Sequence, residues 1–566
     1  MQRMVRVALL ALAGSLAFAG PKIASDMPQS TPDGMVEVLV QYRPLPGRAI
    51  ATEVGSLGRM HRSFRSIAAV HMTVPLASLA SLEANPRVAY ISPNRRTASF
   101  VDVTAQTVKA NEVWQSGFDG TGVGIAVIDS GVALKQDLTA KDGLHSRVVF
   151  SESFIGDDVS DQYGHGTHVA GIVAANGSQS QGAYKGVAPN ANIINLRVLD
   201  ANGSGKESEV IAAIDEAIAL KDTYNIRVIN LSLGHPVYES FKLDPLCQAV
   251  EAAWKAGITV VVAAGNLGRD NTMGTQGYAT ITSPGNDPYV ITVGAMNANG
   301  TPWRHDDKIA SYSSKGPSLL DHIVKPDLVA PGNNVVSLLA SPDCTLAREY
   351  PNTLISGSNE YFKLSGTSMA TPVVSGGAAL MIQANPNLTP DEVKARMMKT
   401  ASKHFARYTS ATDLNRTASF ENQQDIFAVG AGYLNIERAL TNTDPVNFKA
   451  LSPVAQYNAK NNSVTLVSAD AVIWGSTNPQ ASAVIWGSAV IWGDAVIWGD
   501  AVIWGDAVIW GSSTVSSDAV IWGSAVIWGD AVIWGDAATQ GFAVIWGSNV
   551  PAEGGLQAAS AADGDL

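Results

Sequence analysis

Five stretches between residues 124 and 295 are almost wholly apolar and rich in Val and Ile: GIAVIDS, NIINLRVL, RVINLSL, ITVVVAAGN and YVITVGA. A strand with one wet face alternates polar and apolar residues. Runs without that alternation must be covered on both faces, which parallel sheets achieve with helices above and below. The intervening segments ESEVIAAIDEAIAL and PLCQAVEAAWKAG carry helical apolar spacing. The pattern predicts an α/β domain with a doubly wound, mainly parallel sheet over residues 101–445. Its last clear helix starts at LTPDEVKARMMKTA. There Thr389 caps, Pro390 suits the first helical position, and Glu392 closes a capping box. GAGYLNIERAL ends the domain, and polar NAKNNS marks a linker over 446–469.

Charge divides the chain differently. Residues 1–100 carry a net +6 and residues 101–566 a net −18. An acidic body argues against nucleic-acid binding, which needs cations to meet phosphates. At the N-terminal side, Arg3 and Arg6 precede an apolar run from Val7 to Phe18, and Ala17-Phe18-Ala19 is a small-x-small cleavage pattern. This is a signal peptide over 1–19, and it predicts secretion. The run is too short to serve as a membrane anchor. After a linker over 20–35, residues 36–100 form a basic α+β module. MVEVLVQY, SIAAVHMTV and VAYISP are strand-like, while GRAIATEVGSLG and LASLASLEANP are helical. The chain has two cysteines, Cys247 and Cys344. In an exported protein they either pair or stay separate thiols, and spacing does not decide between these.

Three segments carry chemistry. TGVGIAVIDSGV has glycines, but they precede its strand. A dinucleotide loop must follow the strand and open a helix, so that reading fails. Asp129 ends this strand, at the edge where open parallel sheets place their sites. YGHGTHVAGI puts His165 at a glycine-flanked helix entry, with His168 three residues on; zinc would need further ligands that the segment lacks. In LSGTSMATPVVSGGAAL, Ser368 starts a helix whose terminal amides can receive a developing oxyanion. Taken singly, these are equally a structural histidine pair and a helix cap.

Taken together, with VINLSLG, VVAAGN and KPDLVAPG, the segments resemble the subtilisin-like serine proteases over residues 101–445. The resemblance implies Ser368 as nucleophile, His165 rather than His168 as general base, and Asp129 as the group that orients it. It implies Asn266 as the oxyanion-hole side chain, and Ser232, Leu233 and Gly234 as the edge that pairs with substrate backbone. Protein or peptide substrates follow from this, with no cofactor needed for the chemistry. Leu267 would line the first specificity pocket and favour an apolar residue there. Asp137 matches a usual calcium ligand of the family, but AANGSQSQGAYKGVAP offers no carboxylate, so the sequence only permits structural calcium. The segment between Val335 and Ser368 is longer than in minimal members and is expected to shape or cover the cleft. The 36–100 module resembles the family's ferredoxin-like propeptide, an intramolecular inhibitor, with Phe100–Val101 as the expected processing bond.

AVIWG then occurs ten times over 470–548, holding ten of the thirteen tryptophans in a register of six or twelve residues. An even period puts every Trp on one face of a β-solenoid, and Gly-Asp or Gly-Ser turns would equally make a β-meander. Asp residues between the units guard against edge aggregation. The array acts either as a stability spacer or as a contact to a cell surface, with the spacer favoured. Residues 549–566 read as a flexible acidic tail. The competing function class is a surface or adhesion protein on an inactive protease-like scaffold; the set Asp129, His165, Ser368 and Asn266 decides for a secreted serine endopeptidase.

Overall fold

A computed structural model of the chain describes residues 22–24, 27–28, 34–43, 57–64, 68–93, 103–272, 274–413, 418–458, 463–467, 556–558 and 565. The expected signal peptide, the expected processing bond Phe100–Val101 and the AVIWG array lie outside them. The chain divides into two compact units, Met1–Ser99 and Phe100–Leu566. No described helix is long and apolar enough to cross a membrane.

The first unit is a four-stranded antiparallel sheet of β1 (Met35–Tyr42), β2 (Arg59–Ser63), β3 (Ala69–Pro75) and β4 (Val88–Pro93), in the order β2-β3-β1-β4. The alternation in MVEVLVQY points Val36, Val38, Val40 and Tyr42 inward. A short helix, Leu79–Ala84, closes the core with Leu79 and Leu82. Most of GRAIATEVGSLG, expected as a helix, lies outside the described residues.

The second unit is built on seven strands: β5 (Gly124–Asp129), β6 (Val148–Ser153), β7 (Asn192–Arg197), β9 (Ile226–Leu231), β11 (Thr259–Ala263), β12 (Ile291–Asn297) and β14 (Leu328–Pro331). They are parallel in the order β6-β7-β5-β9-β11-β12-β14. A two-residue strand, β13 (Lys308–Ile309), adds antiparallel to β12. Two more two-residue strands, β8 (Ser204–Gly205) and β10 (Leu233–Gly234), lie off this sheet. The five apolar runs supply its central strands, and β5, β11 and β12 are buried along their whole length. Chain order reverses at β5, whose neighbours are β7 and β9. That reversal opens a crevice at the carboxyl edge.

Helices α1 (His165–Ala174), α2 (Glu207–Ala219), α3 (Pro245–Lys255), α4 (Thr367–Ala384) and α5 (Pro390–Thr400) flank the sheet. The Thr389–Glu392 capping box forms as expected. The central helix α4 contains Pro372. Proline has no N–H to offer the carbonyl four residues back, here that of Ser368. Ser232 Oγ donates to that carbonyl instead, at 2.9 Å. Asn230 Nδ2 donates to Ser232 Oγ, and Ser375 Oγ donates to Asn230 Oδ1. The helix is thereby bolted to the end of β9.

The domain does not stop near residue 445. In the expected linker, Ala450 and Ser452 are buried, and Val454–Asn458 pairs with Ser463–Val467 as a hairpin. The reason is electrostatic. Asp327, fully buried, meets Lys325 Nζ at 2.7 Å and Lys394 Nζ at 3.3 Å, and it also accepts from Ser452 Oγ and Thr292 N. Burial alone would raise Asp327, but the two lysines hold it below the usual carboxylate range, while burial pushes Lys394 down to about 7. Ser452 adds to this charge cluster a donor from beyond the last helix. Asp327→Asn leaves two lysines short of a counter-charge and is expected to cost about 3–5 kcal/mol in urea unfolding.

Candidate active site

Three loops at the carboxyl edge converge. Asp129 is the last residue of β5, Ser232 follows β9, and Asn266 lies three residues beyond β11. Into this edge α1 and α4 present their first turns, which carry His165 and Ser368. Asp129, His165 and Ser368 are each at most 1% exposed.

His165 Nδ1 and Asp129 Oδ1 are 2.7 Å apart. The close approach depends on Gly166: a Cβ there would lie 2.2 Å from the Gly131 carbonyl oxygen and 3.1 Å from Asp129 Cβ. The turn that delivers His165 is tied by Asp161, which accepts from Gly164 N, Thr167 N and Ser130 Oγ at 2.7–2.8 Å. Burial raises the Asp161 pKa despite these donors. Ser130 Oγ in turn accepts from Gly166 N. Asp161 and Ser130 escaped the sequence reading. No capping pattern signals them, because Asp161 lies three residues before the N-cap position, Gly164.

His165 Nε2 has no hydrogen-bond partner among the described residues. Ser368 Oγ donates to the Ser232 carbonyl at 3.1 Å. Ser368 is the second residue of α4, where a backbone N–H is not used by the helical ladder. Asn266 Oδ1 accepts from Thr367 N at 2.9 Å and from Thr367 Oγ1 at 3.1 Å. With its oxygen engaged there, the amide must turn its NH2 the other way. Leu267 is 42% exposed beside it.

His168 has a different environment. Its Nε2 donates to the Val335 carbonyl at 3.1 Å, and its ring meets Phe362 edge-on. Burial, followed by the neighbouring His165, pushes its pKa down to about 3. It is a neutral packing histidine. Val335 and Phe362 belong to β15 (Val335–Leu338) and β16 (Tyr361–Leu364), an antiparallel pair at the ends of the long segment before Ser368. This segment buttresses α1: Ser337 Oγ donates to His168 O, and Thr345 N and Leu346 N donate to Gln162 O and Tyr163 O. Both cysteines are buried free thiols. Cys247 lies in α3 near Ser283 and Asn286, and Cys344 packs against Gly164.

The donor set around Asp137 does not fit calcium. Oδ1 accepts from Ser178 Oγ and Gln179 N at 2.8 Å, and Oδ2 accepts from Tyr361 Oη at 2.6 Å. Hydrogen donors thus engage both carboxylate oxygens, and among the described residues no second carboxylate joins them to build the oxygen shell that calcium requires. Positive charge comes instead from Arg147, 4% exposed, which donates to the carbonyls of Asp137, Thr139, Ala174 and Ala191 at 2.6–2.9 Å. Burial lowers its pKa to about 10, so it remains charged at neutral pH.

A serine in the first turn of one helix, and a histidine held by a buried aspartate in the first turn of another, both at the carboxyl edge of a parallel sheet, are the residue set of a serine-nucleophile hydrolase. Residues 120–432 match the model of the subtilase family, described as Peptidase_S8. Serine protease AprX of Bacillus subtilis (strain 168) is 40% identical over 328 residues, 56% of this chain and 70% of its own length. Subtilisin DY of Bacillus licheniformis is 34% identical over 336 residues, 59% of this chain and 96% of its own. A thermostable alkaline protease of Halalkalibacterium halodurans is 32% identical over 406 residues, covering 71% and 94%. The chain belongs to the subtilase family and is a serine-type endopeptidase.

Arg147→Met strands four buried carbonyls and is expected to cost about 3 kcal/mol in denaturant unfolding. Added calcium should not restore the loss; restoration would mean that a cation can take the place of the guanidinium.

Proposed function

We propose that the chain is a secreted endopeptidase that cleaves extended protein substrates through an acyl-enzyme at Ser368. The observation that carries this assignment is the buried 2.7 Å Asp129–His165 pair at the sheet edge where α4 also begins. In the reaction Ser368 Oγ gives up the Ser232 carbonyl for His165 Nε2. Oγ then attacks the scissile carbonyl as its proton passes to Nε2, and the imidazolium that forms is stabilised by Asp129. The oxyanion receives the Asn266 amide and the Ser368 N–H. His165 returns the proton to the leaving amine, and water, deprotonated by the same histidine, hydrolyses the acyl-enzyme. Substrate backbone pairs with Ser232–Gly234 by strand addition, so recognition rests first on main chain. Leu267 favours an apolar residue at the cleaved position.

The same reading makes 1–19 a signal peptide, removed on export, and 36–100 an inhibitory propeptide, removed at Phe100–Val101. The β2-β3-β1-β4 order of the first unit supports the latter, since a ferredoxin-like fold requires it. The AVIWG array serves as a spacer.

A fluorophosphonate probe should label the wild-type chain and not Ser368→Ala, and casein hydrolysis should vanish in that variant. Residual cleavage would remove Ser368 from the mechanism. Asn266→Ala should lower kcat by about 10²–10³-fold with little change in KM, a size carried over from the equivalent asparagine of a subtilisin. N-terminal sequencing of protein from the culture medium should read from Val101; a start near Gly20 would show that the first unit is retained.

A further inference from the structure

Two described pieces of the tail are anchored, although the sequence reads 549–566 as flexible. Leu556–Ala558 forms a strand between β8 and β10. Leu233 pairs with Ala558, Gly234 and Ser204 with Gln557, and Gly205 with Leu556, all antiparallel. β8 and β10 do not pair with one another. They flank a slot one strand wide, and each would otherwise present unpaired N–H and C=O groups along that slot.

The second anchor is Asp565, which is 0% exposed. Its carboxylate accepts from Arg269 Nη2 at 2.8 Å, Ser311 N at 2.6 Å and Ser311 Oγ at 2.5 Å. Its backbone N–H donates to Asn333 Oδ1, and its carbonyl accepts from Asn333 Nδ2 and Asn334 Nδ2. All four polar atoms are therefore met, which is what burying a carboxylate demands.

The anchors flank the nucleophile. β10 begins one residue after Ser232, whose carbonyl accepts from Ser368 Oγ. On the other side, Asn334 N donates to Ser365 Oγ, and Gly366 N donates to the Gly332 carbonyl, two residues before Ser368. The tail strand also runs antiparallel to β10 along the edge assigned above to substrate backbone.

We propose that the tail is an intramolecular occupant of the substrate cleft. Its Leu556–Ala558 strand fills the slot between β8 and β10, Asp565 locks it in place, and an extended peptide must displace it to bind. The proposal rests on the assignment of Ser232–Gly234 to substrate binding.

The test uses Ser368→Ala protein, which cannot trim its tail, freed of the proposed inhibitory first unit at an engineered protease site before Val101; this chain, full to Leu566, is compared with one that lacks 549–566, using a fluorescent synthetic peptide spanning residues 551–566 read by anisotropy. Protein lacking 549–566 should bind the peptide, and the full chain should bind it at least about tenfold more weakly, the loss produced by a tail in place nine-tenths of the time. Asp565→Ala in the full chain keeps every residue of the cleft and should recover most of that binding. Equal binding to the full and shortened chains, or none to the shortened chain and none to Asp565→Ala, overturns the proposal. Fluorophosphonate labelling of the shortened chain with Ser368 intact keeps the two readings apart. Labelling without peptide binding sinks only the tail, and peptide binding without labelling sinks only the assignment of Ser368.

Discussion

The missing N–H of Pro372 frees the carbonyl of Ser368, and Ser232 takes it. Much of the site hangs on this exchange. It fixes the first turn of α4 against the end of β9, and Asn230 and Ser375 complete the connection from strand to helix. Thr367, one residue before Ser368, holds the oxygen of Asn266 and so decides where its NH2 points. The edge proposed to receive peptide backbone starts at Ser232. A single break in a helical ladder thus sets Ser368, the Asn266 amide and the start of the proposed binding edge.

Buried polar groups do similar work elsewhere. Asp161 ties the turn that enters α1, Asp327 gathers two lysines and Ser452, and Arg147 collects four carbonyls around Asp137. Removing one partner from such a cluster leaves desolvated charge or orphaned carbonyls, so these groups make the geometry of connecting segments definite. Near Asp137 a guanidinium supplies the positive charge for which the family resemblance offered calcium. Its fork fits four carbonyls from three separate segments.

A cleft that recognises main chain accepts any extended segment of suitable reach, including one from its own chain. Backbone pairing between β8, β10 and Leu556–Ala558 uses groups that every residue carries. Selectivity for the tail therefore rests on Asp565, whose carboxylate has a built receptor in Arg269 and Ser311.

Much of the scaffold was legible in the sequence, because local physics wrote it there. Unbroken Val and Ile runs demand cover on both faces, which gives a parallel sheet, and Thr389 with Glu392 announces its helix within four residues. Motif context directed attention to Asp129, His165, Ser368 and Asn266, and their order along the chain carried the family resemblance. The remainder was set by partners far apart in sequence. Ser452 belongs to the core because Asp327, 125 residues earlier, needs a donor. Asp137 is spent on a hydroxyl 224 residues away, and Asp565 on a serine 254 residues away. Periodicity and capping encode what a segment needs from its immediate neighbours. Which distant group satisfies a buried charge or an open strand edge is decided only when the chain has folded and water is no longer there to do it.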